Sequence, residues 1–300
     1  MSDTTKKLTD YQILVFDVYG TIVDWETGIY EGLKPMLSKY PESLKWTRKQ
    51  VLDAYTAVEK ELQANYPHML YCDILAKVYE AMEQGLKTAS EKPTETRESD
   101  TAVSDGLSPS ASTSAPSVSD DHVRFGQSIK DWPIFPDSTA ALRALSKQYK
   151  LVVLSNVDRT SFARTLAKLS DSDSPYSPEV YSPPESTEYW FPQRTPASKS
   201  PFTLVLTAQD VQSYKPALHG FEVALDVIRK EPALLNVAKE QVLWVAQSLF
   251  HDIAPVSQIG ITNAHMGFTT PEPPYCWRFN TLGEMADAVA KEQFADVIVS

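Results

Sequence analysis

Four groups of polar residues each stand just downstream of a short apolar run. Asp17 follows Ile13–Phe16, with Thr21 four places on. Ser155 and Asn156 follow Leu151–Leu154. Lys215 lies in Tyr214-Lys215-Pro216, a few residues beyond Phe202–Leu206. Gln247-Ser248 and then His251-Asp252 follow Val242–Ala246. Brought together, these side chains would supply a carboxylate, hydroxyls, an amide and an ammonium. Free aspartate is ionised at neutral pH. A carboxylate can attack an electrophilic centre and hold it covalently. A nearby ammonium favours the charged form of such a group.

The elements that must position these residues are also legible. The apolar runs show no alternation, as expected for parallel strands covered on both faces. Val51, Tyr55, Val58 and Leu62 recur at helical spacing, as do Leu70, Ile74, Val78 and Met82. They predict a helical subdomain after the first strand, with Tyr55, Tyr66 and Tyr71 in its core. Helices are expected over Asp137 to Tyr149, around Phe162, Leu166 and Leu169, and around Phe221, Leu225 and Ile228. Ile259 to Met266 reads as a weaker fifth strand. Thr281-Leu282-Gly283-Glu284 has capping-box spacing and should open the last helix. Strands alternating with helices imply an α/β fold, a doubly wound, Rossmann-like parallel sheet. In such sheets ligands bind beyond the carboxyl ends of the strands, where these polar groups fall. The reading divides the chain into a core of residues 1–24 and 130–300 and a helical insert of 25–129. Residues 88–121 are rich in Ser, Thr, Pro and acids and too poor in apolar groups to offset their ordering entropy. They are expected to be a disordered loop. Residues 170–200 read as a second low-complexity insertion, of which Tyr189–Phe191 could dock on the surface.

The formal charge of −11 provides no positive footprint for nucleic acid. The first apolar run is too short for a signal core or a membrane span, so no membrane association and a cytoplasmic location are expected. Cys72 and Cys276 lie far apart without metal-ligand spacing and suit a reducing compartment.

The segment Phe16-Asp17-Val18-Tyr19-Gly20-Thr21 resembles the first motif of the haloacid dehalogenase superfamily. Leu154-Ser155-Asn156 resembles its second motif, Tyr214-Lys215-Pro216 its third, and Ala246 to Asp252 its fourth. All four occur in order behind predicted strands, and the resemblance covers nearly the whole chain apart from the two low-complexity segments. The helical insert looks like the cap of the L-2-haloacid dehalogenases. Phosphatases of the superfamily carry an acidic residue two places after the nucleophile; Tyr19 stands there, which resembles the dehalogenase branch. The resemblance implies a hydrolase without cofactor or metal, acting on a small carboxylic acid. Asp17 would displace a halide from the α-carbon and form an ester, which water then hydrolyses to a hydroxy acid. Lys215 would pair with Asp17, and Thr21 would bond within the site. Val18, Tyr19, Ser155 and Asn156 would contact substrate. Asp252, with Ser248 or His251, would direct the hydrolytic water. Enzymes of this type are often dimers, which leaves a homodimer open.

Four positions depart from that pattern. The early-cap arginine that helps take the halide follows a tryptophan directly in the bacterial enzymes. Here Trp46-Thr47-Arg48 sets Arg48 one place later, about 100° round a helix. Phe221 stands where a tyrosine is expected, and Gln247 and Leu249 replace a serine and an asparagine. Three other readings follow: a magnesium-dependent phosphatase using the same nucleophile, a hydrolase that tailors a small metabolite, and a catalytically impaired protein that binds a small acid or a partner protein.

Overall fold

The computed structural model describes residues 6–91, 120–170, 176–185, 188–267 and 275–299. Six strands form one all-parallel sheet in the order β3-β2-β1-β4-β5-β6. They are β1 (Ile13–Phe16), β2 (Lys150–Ser155), β3 (Phe202–Thr207), β4 (Val242–Ala246), β5 (Thr262–Met266) and β6 (Trp277–Phe279). The helices are α1 (Trp25–Leu37), α2 (Arg48–Asn65), α3 (Tyr71–Glu91), α4 (Asp120–Gly126), α5 (Ser138–Leu145) and α6 (Arg159–Ser170). They continue with α7 (Pro178–Tyr181), α8 (Ala208–Val211), α9 (Leu218–Lys230), α10 (Ala254–Gln258) and α11 (Leu282–Val299).

Burial explains the unalternating strands. In β1, Leu14 and Phe16 pack with side chains of α5, α6 and α11, while Ile13 and Val15 pack with those of α9 and α10. Each strand residue therefore meets an apolar layer on one face or the other. The chain runs from β1 out to β2 and β3, then returns to β4 on the other side of β1. That reversal opens a crevice at the carboxyl ends of β1 and β4.

α1 to α4 lie between β1 and β2 in sequence. Asp24 caps α1 by accepting from the Thr27 N–H at 3.0 Å, and Thr47 caps α2 reciprocally with Gln50. Two contacts tie the start of α3 to the α/β core. The Cys72 N–H donates to Asp158 Oδ2 at 3.1 Å, and the Tyr214 hydroxyl donates to the Met69 carbonyl at 2.7 Å.

Several expectations need correction. α3 runs to Glu91 and α4 begins at Asp120, so both ends of the predicted 88–121 loop are helical; residues 92–119 lie outside the described residues. In the 170–200 segment, residues 171–175 and 186–187 are also outside them, but the rest is held in place. Trp190 and Phe191 are buried, and the Val205 N–H donates to the Trp190 carbonyl, which covers the free edge of β3. The Arg159 guanidinium holds the same segment through the Pro184 and Glu188 carbonyls. Two buried aromatic groups and one guanidinium thus outweigh a polar average. Tyr66 is 46% exposed rather than core. β6 escaped notice because its three half-buried residues carry no periodicity.

The Thr281 cap of α11 forms, with its hydroxyl accepting from the Glu284 N–H at 3.2 Å. Glu284 reaches back to the Asn280 N–H, one residue earlier than the box predicts. Among the described residues no helix is long and apolar enough to cross a membrane.

Candidate active site

Asp17 leaves the end of β1 with its own N–H donating to the Val245 carbonyl of β4 at 3.0 Å. The chain then turns sharply. The Val18 carbonyl accepts from the N–H groups of Thr21, Ile22 and Val23. Gly20 has φ +101°, a conformation that side chains rarely adopt, and a Cβ there would press on the Trp25 indole. This turn brings Thr21 back over Asp17. The Thr21 hydroxyl donates to Asp17 Oδ2 at 2.8 Å and accepts from the Gln247 N–H at 2.9 Å. Its proton is thereby committed to the carboxylate.

Lys215 supplies the other half of the clamp. Its ammonium donates to Asp17 Oδ1 at 2.8 Å, Asp252 Oδ1 at 2.8 Å and the Leu154 carbonyl at 3.0 Å. A lysine ammonium has three donors, and all are used. The three residues are nearly enclosed, at 7%, 4% and 0% exposure for Asp17, Lys215 and Asp252. Burial works to lower the Lys215 value, but the two carboxylates outweigh it and raise it above the ordinary lysine range.

Asp252 sits on a π-helical turn, Leu249–Ile253, opened by the Ser248 hydroxyl accepting from the His251 N–H. Such turns recur at functional sites. The Trp244 indole N–H also donates to Asp252 Oδ1, at 3.1 Å. Oδ2 is buried with no partner. Burial pushes the Asp252 carboxyl up to about 7, although Lys215 pulls against it. His251 lies 3.1 Å from Ser248 Oγ through Nδ1. Burial and the Lys215 charge drive its value down to about 4, so the ring is neutral at neutral pH.

The carboxyl edge of the sheet and the inserted helices enclose a cavity of about 140 Å³. Of the residues anticipated from sequence, Asp17, Tyr19, Ser155, Asn156, Lys215, Ser248, His251 and Asp252 line it. Thr21 acts from beneath through Asp17. Val18 does not line the cavity; its side chain is fully buried in the core. Arg48 is also absent from the lining. Thr47 caps α2, so Arg48 is the first helical residue and turns outward. There it donates to Thr27 Oγ1 at 3.0 Å and lies 5.6 Å over the Tyr30 ring.

Asn156 lines the cavity, but its amide is occupied with Lys215. Nδ2 donates to the Lys215 carbonyl at 3.0 Å, and Oδ1 accepts the Lys215 N–H at 2.7 Å. It positions the ammonium instead of reaching for a ligand. Ser155 Oγ is buried with no partner and remains available. The Tyr19 hydroxyl pairs with Thr165 Oγ1 at 3.0 Å, and burial raises its value, so it stays a neutral phenol. Phe221 packs on Trp244, ring centroids 5.0 Å apart, outside the cavity.

The sequence reading missed the groups that the helical insert contributes. Trp25, Thr56, Glu59, Gln63 and Tyr71 line the opposing wall, with Trp132 just beyond the insert. The only sequence signal was the acidic Glu59 one turn after Tyr55 on an otherwise ordinary amphipathic helix.

No family model and no curated protein matches this sequence. Solved structures match it over nearly their full length. The L-2-haloacid dehalogenase of Xanthobacter autotrophicus aligns at TM-score 0.59 and 14% identity, covering 93% of this chain and 98% of that one. Another L-2-haloacid dehalogenase aligns at TM-score 0.60 and 14% identity, covering 93% and 99%. A HAD-hydrolase of Bacillus subtilis bound to magnesium aligns at TM-score 0.58 and 15% identity, covering 95% and 100%. The six-stranded parallel sheet, its strand order and these alignments together give the chain the fold of the haloacid dehalogenase superfamily.

Proposed function

We propose that the chain is a hydrolase in which Asp17 displaces a leaving group from a carbon next to a carbonyl, with the two-step chemistry of a 2-haloacid dehalogenase. The observation that carries this is the clamp on Asp17, an ammonium on one oxygen and a hydroxyl on the other, with a phenol instead of a carboxylic acid two places after it. Tyr19 occupies the place of a proton donor but is a phenol engaged with Thr165. A leaving group that departs without a proton, such as a halide, fits such a site. The Xanthobacter autotrophicus enzyme of this fold has been solved with chloropropionic acid covalently bound, at 15% identity to this chain.

In the first step an Asp17 oxygen forms a bond to carbon while the carbon–halogen bond breaks and the halide leaves. In the second, water attacks the Asp17 carboxyl carbon of the ester. The unpartnered Asp252 Oδ2 is the acceptor for that water's proton. The ester's alkoxide departs and is protonated, giving the hydroxy product, and one proton goes to solvent for each halide released. Single turnover in ¹⁸O-labelled water tests this route. Label should enter the Asp17 carboxylate and be absent from the first product molecule. Label appearing directly in that product, or magnesium-dependent phosphate release from phosphoesters without any halide release, would exclude it.

The assignment of Asp252 has a pH signature. The rate of ester hydrolysis should rise with pH in a limb below about 7, as Asp252 loses its proton, because esterification removes the Asp17 charge that helps hold the Asp252 carboxyl up. Asp252→Asn should abolish that limb, whereas His251→Asn should keep it, since His251 is neutral across the range. A limb that disappears with His251 instead would reverse the two roles. Stability should run the opposite way to activity. A carboxyl raised by folding contributes fully below its unfolded value, and that contribution is lost as pH rises through about 7.

A further inference from the structure

The cavity wall facing Asp17 carries a carboxyl group that the chemistry above does not use. Glu59 projects from α2 with Oε1 within hydrogen-bond distance of two phenols, Tyr55 at 3.0 Å and Tyr71 at 2.5 Å. Burial and the carboxylate keep both phenols protonated, so they serve as donors. Oε2 makes no hydrogen bond within the cluster. Tyr55 is fully buried and Tyr71 nearly so, which fixes the carboxyl against the cavity.

The charge balance of the cavity then becomes one-sided. Asp17, Asp252 and Glu59 line it as acids; burial raises the Glu59 carboxyl above its ordinary range, and the two phenol donors pull it back down. Among the described residues Lys215 is the one cation in the lining, and its three donors are all taken by Asp17, Asp252 and the Leu154 carbonyl. His251 is neutral. The three cations on α2 do not line the cavity: Lys60 sits 4.4 Å over the Phe250 ring, Arg48 pairs with α1, and Lys49 pairs with Asp53. A substrate carboxylate entering here would lose its hydration, find no free cation, and face Glu59 and Asp17. What the site does offer is an unpartnered hydroxyl donor at its core end, Ser155, and a carboxylate acceptor at its outer wall. These match a carbonyl oxygen and an N–H or O–H group.

We propose that Glu59, anchored by Tyr55 and Tyr71, is the specificity-determining residue of this site and selects neutral, donor-bearing α-substituted carbonyl compounds over carboxylic acids. The inference rests on the Asp17 reading for its reaction but not for its binding preference. The first test compares bromide release from 2-bromopropanamide and 2-bromopropanoate, each rate referenced to displacement by acetate in solution. The two probes have nearly the same shape and the same reacting carbon. The amide should be favoured in kcat/KM by about 100-fold. Glu59→Gln keeps the shape and the acceptor oxygen for the tyrosines but removes the charge. It should shrink the ratio at least about tenfold, mainly by improving the acid. Tyr71→Phe, which leaves the charge and loosens the anchor, should weaken amide turnover without improving the acid. A loss common to both probes would signal damage to the fold and not selectivity, so the ratio is the quantity that decides.

A second test separates this inference from the Asp17 reaction. Calorimetric titration of Asp17→Asn with lactamide and with lactate measures preference without turnover. Tighter binding of lactamide upholds the inference even if neither bromide is released, and that outcome would count against the halide chemistry alone. Lactate bound as tightly as lactamide, or neither bound, overturns it, as does Asp17-dependent turnover of the bromo acid at or above the rate of the amide.

Discussion

Asp17→Asn is expected to abolish turnover while the protein stays folded. The amide is nearly the same size and keeps an oxygen for Lys215, which donates to Asp17 at 2.8 Å. It lacks the charge and the nucleophilic oxygen pair that the covalent step needs. Removing a nucleophile of this kind costs about 10⁴-fold or more in kcat. The fold should lose no more than about 1–2 kcal/mol, because Lys215 retains Asp252 and the Leu154 carbonyl. Halide release and the urea midpoint, measured on the same sample, check both halves. Residual turnover above about one hundredth of the parent rate would place the nucleophile elsewhere.

The second large effect is on stability. Lys215→Met should destabilise the protein by about 3–5 kcal/mol, because it leaves two enclosed carboxylates facing each other without a cation. Asp17 and Asp252 both meet the same ammonium at 2.8 Å, and Asp252 is fully buried. The penalty should shrink as pH falls. Protonated carboxyls need no counter-charge, so urea midpoints of variant and parent should converge in acid and diverge near neutrality. A constant difference across pH would mean that packing around the lysine stem, not charge, accounts for the loss. Adding Asp252→Asn to Lys215→Met should recover part of the stability, since it removes one of the two unpaired charges. Recovery is not expected from Glu59→Gln, which belongs to the other wall of the cavity.

The residues along the sheet edge were readable in the chain because their positions follow from local rules. Ile13–Phe16, Leu151–Leu154, Phe202–Leu206 and Val242–Ala246 are apolar throughout, and parallel strands buried on both faces must be. Whatever follows such a strand lands on the carboxyl edge of the sheet, so Asp17, Ser155 and Asp252 could be expected near one another before any distance was known. The periods of α2, α3 and α9 were equally visible. Composition misled in the 170–200 segment, whose described residues are held by buried Trp190 and Phe191 and by the Arg159 guanidinium.

What the chain could not disclose is direction. Whether Arg48 faces the cavity depends on where α2 begins, and the Thr47 cap turns it outward by the geometry of the first turn. Asn156 was expected to hold a ligand, yet two hydrogen bonds across 59 residues bind it to the Lys215 backbone. Glu59 sits on a half-exposed helical face where acids are usual, and only the approach of Tyr71 from the next helix makes it part of a cavity wall. Patterns of strand and helix are encoded by neighbours a few residues apart, so one dimension carries them. The charge balance of the cavity arises from side chains on separate elements, and only their packing brings those groups together.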